Sequence, residues 1–306
     1  MKKEQFIDEV RNAVALHYGE EAVVSVHEQM KNNGVKYTGL CVKKIDSNIG
    51  PTVYIDAFYE SFKSGRNFAE IVSEIIKIVE DNTPKEMVSM DFFRDYKEVR
   101  NQICYKLVGK SRNEELLKDI PHRDYLDMAI VYYVSMEVAG ILGSVLVNNE
   151  HMKLWGVDEE ALFNAASENT PAINPVNTVP MGEMLYNLSG GNPVFGDEDY
   201  YEGMFVSSNV RGTNGACCIL YPGYLQSIAA EFGCGFFILP ASVHEVIILR
   251  ENIMAANAMC LADMVRSVNS ECLQEQDILS DSVYYYDFGG ENNVKKVEYD
   301  KEAMVL

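Results

Sequence analysis

The chain has 306 residues, of which 47% are hydrophobic and 24% are charged, and this ordinary globular composition excludes disordered, collagen-like and coiled-coil proteins. Its 26 basic and 46 acidic side chains give a formal net charge of −20. A surface so negative repels phosphate backbones and anionic lipids, so the charge argues against nucleic acid as a partner.

The N-terminal residues do not have the pattern of an export signal. Lys2 and Lys3 are followed at once by Glu4, Asp8 and Glu9 instead of an apolar stretch. No run of about 18 apolar residues occurs, so the sequence predicts no membrane span. Seven cysteines, an odd number, are typical of free thiols in a reducing compartment. We therefore expect a cytoplasmic protein with neither a membrane nor a nucleic acid as its partner.

The negative charge is distributed unevenly along the chain. Residues 1–118 carry 18 basic and 19 acidic side chains, whereas residues 119–306 carry 8 and 27. A step of this kind indicates two structural units. The sequence predicts a small N-terminal α+β unit at residues 1–97 and a larger, acidic α+β unit at residues 98–306.

The first unit is predicted to contain a helix, a β-hairpin, a third short strand and a second helix. Apolar side chains recur at helical spacing over residues 6–14. Asn33 and Gly34 both tolerate positive φ and are flanked by alternating valines, which predicts a hairpin with a type I′ turn. A short strand follows at residues 52–55, and Asn67 begins a helix whose apolar residues lie on one face.

The second unit is predicted to be richer in strands. The predicted strands are at residues 102–108, 129–134, 142–147, 215–220, 235–239, 245–249 and 283–286. Helices separate some of them, including one that Asp158 caps and one near residues 253–269. Hairpin-like neighbours mixed with helices favour an α+β fold, with a mixed sheet and packed helices, over a strictly alternating parallel one. Residues 190–203, rich in glycine, are predicted to form a loop.

The common catalytic and cofactor motifs do not occur in this sequence. There is no G-x-x-x-x-G-K-[ST], G-x-G-x-x-G, G-x-S-x-G, H-E-x-x-H or C-x-x-C. Asp197, Glu198 and Asp199 offer carboxylates to a hard cation, but they lack the glycine turn and distal glutamate of a calcium loop. The sequence therefore predicts neither a cofactor nor a metal.

Ser242, His244 and Glu245 form the most chemically suggestive cluster. They lie between two apolar predicted strands, and their spacing allows Ser242 and His244 to point the same way. Nucleophilic catalysis needs such a hydroxyl, base and orienting carboxylate. The alternative is architectural: Ser242 satisfies the backbone of a turn, and the other two lie at the rim of the sheet. Because triads usually assemble from distant segments, the architectural interpretation is favoured.

His122 and Arg123 form a second polar group, between Asp119 and Asp124. As a functional group they would make a loop for acid–base chemistry or anion contact, with His122 titrating near neutral pH. The alternative is a helix cap and a charged helix face, with Asn113 starting a short helix. The sequence favours this second interpretation.

Several runs of sequence carry a family resemblance. They are KNNGV at residues 31–35, NIGPTVY at 48–54, RNEELL at 112–117, WGV at 155–157, NTP at 169–171, LPASVHEVI at 239–247 and LSD at 279–281. These runs resemble the bacterial family catalogued as domain of unknown function 5688 over nearly the whole chain. The C-terminal part is also distantly similar to domain of unknown function 1444. The resemblance implies a cytosolic bacterial protein and carries no activity, cofactor or catalytic residue with it.

Two functions of different classes remain. The first is a non-catalytic binding module whose acidic C-terminal unit presents a surface to a basic protein partner, an attraction that salt would weaken. The second is a hydrolase-like enzyme that uses Ser242, His244 and Glu245, joined by His122 and Arg123. The enzyme hypothesis predicts that His122 and His244 open into one pocket. Because no mechanistic motif occurs, the binding module is favoured.

Overall fold

The computed structural model describes residues 1–47, 49–84, 91–138, 141–191, 201–252, 258–289 and 294–298. Helices and antiparallel sheets share the fold, so the predicted α+β class is confirmed. The chain divides into two compact units, Met1–Asp95 with Ser135–Ser144 and Tyr96–Val134 with Val145–Leu306. Most of the predicted loop at 190–203, including the three acidic residues 197–199, lies outside the described residues.

The N-terminal elements are a three-stranded sheet and the helices that pack on it. They are α1 (Lys3–Tyr18), β1 (Ala22–Met30), β2 (Lys36–Lys44), β3 (Thr52–Tyr54), α2 (Asp56–Lys63) and α3 (Phe68–Asn82). The sheet has the order β1-β2-β3. Asn33 and Gly34 have φ values of 60° and 70°, and the Val35 N–H donates to the Asn32 carbonyl, as a type I′ turn requires. Asn67 caps α3 by accepting the Ala69 N–H at 2.8 Å.

The core of this first unit forms where the apolar faces of α1 and α3 meet the central strand. Its most buried side chains are Phe6, Val10, Val14, Leu40, Val42, Ile55, Ile71, Ile75 and Val79, none more than 1% exposed. The helical spacing predicted from residue 6 onward therefore identified the buried face of α1 correctly. A buried aliphatic or aromatic side chain contributes about 1.5–3 kcal/mol, so this cluster supplies much of the unit's stability.

The remaining elements follow in chain order. They are α4 (Tyr96–Val99), β4 (Ile103–Gly109), α5 (Glu114–Asp119), β5 (His122–Tyr125), β6 (Met128–Val138), β7 (Ile141–Leu146), α6 (Asn149–Trp155), α7 (Glu159–Ile173), β8 (Val176–Pro180), α8 (Met181–Leu188), β9 (Met204–Asn209), α9 (Tyr224–Phe232), β10 (Phe236–Pro240), β11 (Val246–Arg250), α10 (Ala258–Glu271), β12 (Tyr284–Tyr286) and β13 (Val294–Lys296). Among the described residues, none of the helices combines the length and hydrophobicity needed to cross a bilayer.

These strands form two further antiparallel sheets. One has the order β4-β6-β5, with β7 also pairing with β6. The other has six strands in the order β13-β12-β10-β11-β9-β8. The helix α5 covers the first sheet through Leu117, which packs with Val108 and Val131. The helix α10 covers the second through Leu261 and Val265. Each sheet thus buries one face under a helix, as an α+β fold requires.

Asp127 connects the two sheets through its side chain. It lies in the two-residue turn between β5 and β6, and its carboxylate accepts hydrogen bonds from Ser282 at 2.6 Å and from Tyr284 at 2.5 Å. Ser280 donates to it at 3.2 Å, and Lys296 adds an ion pair at 3.3 Å. These four donors come from β12, β13 or the segment just before β12, so one carboxylate joins the β5–β6 turn to the edge of the six-stranded sheet.

The strand predicted at residues 215–220 is wrong, because Gly215–Leu220 is a 3-10 helix. Five of its six residues are buried, and a short apolar run of this kind does not distinguish a buried strand from a buried helical segment. The other predicted strands are present within a residue or two of their predicted ends, apart from the longer β6. The strands β5, β8, β9 and β13 were not predicted, since polar residues interrupt their apolar pattern.

All seven cysteines are free. Cys104, Cys217 and Cys218 are buried, whereas Cys260 on α10 and Cys272 just after it are exposed. Burial raises the pKa of Cys104 to about 11 and that of Cys217 to about 12. The buried thiols therefore stay protonated at neutral pH and behave as small apolar side chains.

Candidate functional site

Ser242 stabilises the turn between β10 and β11. Its hydroxyl oxygen accepts the backbone N–H of His244 at 3.0 Å, and its own N–H donates to the Glu245 carbonyl at 3.1 Å. The Ala241 N–H donates to that same carbonyl at 3.2 Å. The side chain of Ser242 is buried, at 6% exposed. This geometry is the one that the architectural interpretation predicts.

Both ring nitrogens of His244 are occupied by neighbours other than Ser242. The Nδ1 atom accepts the backbone N–H of Asn214 at 3.1 Å, which places the ring proton on Nε2. Nε2 faces the Asp277 carboxylate at 3.4 Å. In a catalytic triad, the nitrogen away from the carboxylate would be the base, and here that nitrogen binds a backbone amide. Among the described residues, no hydrogen bond joins the Ser242 hydroxyl to the imidazole or to the half-buried Glu245 side chain.

His122 and Arg123 lie on strand β5 and not in the predicted loop, whereas the short helix that Asn113 was predicted to start is present as α5. The His122 Nδ1 atom hydrogen-bonds the Ile120 carbonyl at 3.1 Å. Arg123 donates to both carboxylate oxygens of Glu159, at 3.1 and 2.8 Å, and its guanidinium lies 3.9 Å from the ring centroid of Phe163. This bidentate pair fixes β5 to the first turn of α7. No hydrogen bond or ion pair between described residues links these two side chains to the Ser242 turn.

A cavity of about 580 Å³ opens elsewhere in the second unit. It lies between the end of β5, the 3-10 helix, the start of α9, and the strands β12 and β13. Its lining residues are Tyr125, Ile219, Leu220, Tyr221, Pro222, Gly223, Leu225, Gln226, Tyr286 and Val294. None of the five predicted site residues lines it, and every lining side chain within the described ranges is uncharged. The cavity is therefore the candidate binding site that the sequence did not reveal.

Hydrogen-bond donors that have no partner among the described residues occur on the residues that line this cavity. Within the part of the chain that is described, the Tyr125 hydroxyl has no hydrogen bond, and burial raises the pKa of Tyr125 to about 12, so at neutral pH it stays a donor. Gly223 occupies the N-cap of α9 with a φ of 78° and supplies no capping side chain. The backbone N–H groups of Leu225 and Gln226 consequently lack an acceptor among the described residues. The site can donate hydrogen bonds without carrying charge.

Among the described residues, no group of three or more His, Cys, Asp or Glu side chains is placed so that it could hold a metal ion. The fold and the cavity define an α+β protein with a neutral, tyrosine-lined candidate site. The chain belongs to the family of unknown function DUF5688, whose model matches residues 3–288. No curated protein and no solved structure matches it. The predicted resemblance to this family is confirmed, and the distant similarity to domain of unknown function 1444 stays a prediction.

Replacing His244 with alanine should lower the free energy of unfolding by about 1–2 kcal/mol, because the Asn214 N–H loses its acceptor. Urea denaturation followed by the fluorescence of Trp155, the only tryptophan, would measure this change. His27→Ala is the matched control, since that histidine is exposed and its side chain bonds only Ser25 among the described residues. Equal stability of the two variants would contradict a structural role for His244.

Proposed function

We propose that this chain is a non-catalytic binding protein that uses the acidic surface of its second unit to bind a basic protein partner. The observation that carries the proposal is the uncompensated negative charge of that unit. Residues 119–306, most of which belong to that unit, hold 27 acidic and only 8 basic side chains. The proposal includes a cytoplasmic location, which the seven free cysteines support.

The basic side chains of the second unit are largely engaged in internal ion pairs. These pairs are Arg100–Glu168, Lys110–Asp124, Arg112–Asp281, Lys118–Glu115, Arg123–Glu159, Lys153–Glu150, Arg266–Asp263, Lys295–Asp287 and Lys296–Asp127. Each pair neutralises one carboxylate. Because acidic side chains greatly outnumber basic ones over residues 119–306, most of these carboxylates have no cation to pair with.

Exposed carboxylates without an ion pair within the described ranges occur on several elements. They are Glu160, Glu183, Glu202, Glu231, Glu271 and Glu298. Negative charges that no internal cation compensates attract basic proteins and raise their rate of encounter. They also repel acidic proteins and nucleic acids, which restricts the partner class. Because the Debye length is about 8 Å at physiological ionic strength, added salt should weaken the attraction.

The geometry of the Ser242 turn supports binding over hydrolysis. A nucleophilic serine needs a base within hydrogen-bond reach, and the imidazole of His244 instead accepts a backbone amide at 3.1 Å. The hydroxyl of Ser242 accepts a hydrogen bond from the turn backbone. These side chains hold three segments of the fold together, a role that requires no substrate.

A charge-reversal variant should lose the partner. We expect Glu160→Lys, Glu183→Lys, Glu231→Lys and Glu271→Lys together to reduce capture of a basic protein from bacterial lysate by about tenfold or more. Affinity capture at about 50 mM and about 500 mM salt, with identification by mass spectrometry, would measure this, and wild-type capture should fall at the higher salt. Aspartate at the same four positions keeps the charge and serves as the control.

Two outcomes would contradict the proposed function. One is that the wild-type chain captures no basic protein at low salt, or that the lysine variant captures it equally well. The other is that a fluorophosphonate probe labels the wild-type protein and fails to label Ser242→Ala. That second outcome would favour the hydrolase.

A further inference from the structure

We propose that the tyrosine-lined cavity binds a small, uncharged aromatic compound that carries a carbonyl group. This site goes beyond the proposed function, because it requires no basic partner and uses none of the exposed carboxylates. A volume of about 580 Å³ is within the range of small-molecule pockets, about 300–1,000 Å³.

The first observation is that the described cavity walls carry no charge. The chain carries a net charge of −20, yet all ten lining residues that the structure describes are uncharged. A charged ligand entering this cavity would lose water without gaining a counterion, which is costly. A neutral ligand loses much less hydration free energy when it enters the cavity. The site therefore selects against both anions and cations.

The second observation is that the aromatic walls are held in place. The hydroxyl of Tyr221 donates to the Asn174 carbonyl at 2.7 Å. The ring of Tyr286 stacks on Phe236, with centroids 4.9 Å apart and an interplanar angle of 8°. Rings that are already ordered lose little conformational freedom when a ligand binds. The fixed ring faces of these two tyrosines suit a planar aromatic body.

The third observation concerns hydrogen bonding. The Tyr125 hydroxyl and the first-turn N–H groups of Leu225 and Gln226 are donors that lack partners within the described residues. A ligand with an acceptor would satisfy at least one of them. Since the walls disfavour an anion, the acceptor that fits is a neutral carbonyl oxygen. The three observations together specify the ligand class.

The test compares three probes that share one ring and differ in charge: benzamide, benzoate and benzamidine. We expect benzamide to bind the full chain with a dissociation constant of about 1 mM, as befits a ligand of its size. Benzoate and benzamidine should bind at least about tenfold more weakly. Saturation-transfer NMR and equilibrium dialysis would measure the three affinities.

Two variants connect binding to this cavity. Tyr125→Phe keeps the ring and removes the hydroxyl, so benzamide should bind about five- to tenfold more weakly. Gln226→Trp changes an exposed lining residue, and the larger side chain should block the entrance. Tyr186→Phe removes the hydroxyl of an exposed tyrosine that does not line the cavity, and it should leave binding unchanged.

Three results would overturn the proposal, and circular dichroism would first verify that each variant is folded. The first is no benzamide binding at about 10 mM, roughly ten times the expected dissociation constant. The second is that benzoate or benzamidine binds as tightly as benzamide. The third is that Tyr125→Phe and Gln226→Trp bind benzamide as the wild type does. None of these results would bear on the capture of a basic partner, so the two proposals fail separately.

Discussion

Replacing Gly215 with alanine should lower the free energy of unfolding by about 3 kcal/mol or more. A Cβ atom at this position would lie 2.6 Å from the Asn209 nitrogen and 2.6 Å from the His244 carbonyl oxygen, both backbone atoms, and would also overlap the Ser208 hydroxyl. That hydroxyl donates to the His244 carbonyl at 2.8 Å, so it cannot move away without breaking a hydrogen bond. The backbone of β9 or of the Ser242 turn would have to shift.

Gly182→Ala provides the matched control. Gly182 lies in helix α8 without a positive φ, and a Cβ atom added there would have the Tyr201 Cβ as its nearest neighbour, at 3.9 Å. Alanine should leave the stability unchanged or raise it by up to about 1 kcal/mol, because it restricts the unfolded chain. Urea denaturation followed by circular dichroism would measure both variants. Comparable losses of stability in both would show that the close approach at Gly215 does not matter.

Replacing Asp127 with asparagine should lower the free energy of unfolding by about 2–4 kcal/mol at neutral pH. The carboxylate accepts from Ser280, Ser282 and Tyr284 and pairs with Lys296. An asparagine amide offers only one acceptor atom, and its NH₂ group would face hydroxyl donors. Tyr284 is 1% exposed, so its hydroxyl would have difficulty finding water instead.

The destabilisation by Asp127→Asn should be smaller at acidic pH than at neutral pH. Burial by itself raises the pKa of Asp127, but hydrogen bonds from Ser282 and Tyr284 and the charge of Lys296 outweigh it and bring the pKa below its usual value of 3.8. A carboxylate whose pKa is lowered by folding stabilises the protein above its unfolded pKa, and this contribution is lost as the pH falls through the folded value. The difference between wild type and Asp127→Asn should therefore shrink below about pH 4.

Urea denaturation at several pH values would test this dependence. Asp124→Asn is the control, since Asp124 is an exposed carboxylate whose pKa is lowered mainly by its hydrogen bond from Lys110. Solvent screens such a pair, so its removal should change stability little. If the difference in free energy of unfolding between wild type and Asp127→Asn stayed constant down to the most acidic pH, the ionised Asp127 carboxylate would not be the source of the stability.

Local patterns in the sequence predicted local structure well. The turn at Asn33-Gly34 and the caps at Asn67 and Asp158 depend on residues within three positions of each other, and all are present. The run at Gly215–Leu220 was misassigned because the cause of its conformation is distant. Its backbone packs against β9 and the Ser242 turn, contacts that no local pattern encodes.

The same difference between local and distant contacts determines which parts of the candidate sites could be predicted from the sequence. The hydrogen bond from the backbone N–H of His244 to the Ser242 hydroxyl spans only two residues, and the sequence predicted that Ser242 would satisfy the backbone of the turn. The partners of the imidazole, Asn214 and Asp277, lie about 30 residues away on either side and could not be anticipated. The cavity depends on segments as far apart as Tyr125 and Val294. A tyrosine in an isolated segment gives no sign that three such rings converge.

The distribution of cysteines determines how this protein would respond to oxidation. Reaction with an oxidant requires an accessible thiolate, and burial keeps the Cys104, Cys217 and Cys218 thiols both inaccessible and protonated. Cys260 and Cys272 face solvent at the two ends of α10. Their separation along a helix is about 18 Å, too far for an internal disulfide. We therefore expect an oxidant to react first at Cys260 and Cys272, where it can cross-link separate molecules, while the three buried thiols stay reduced.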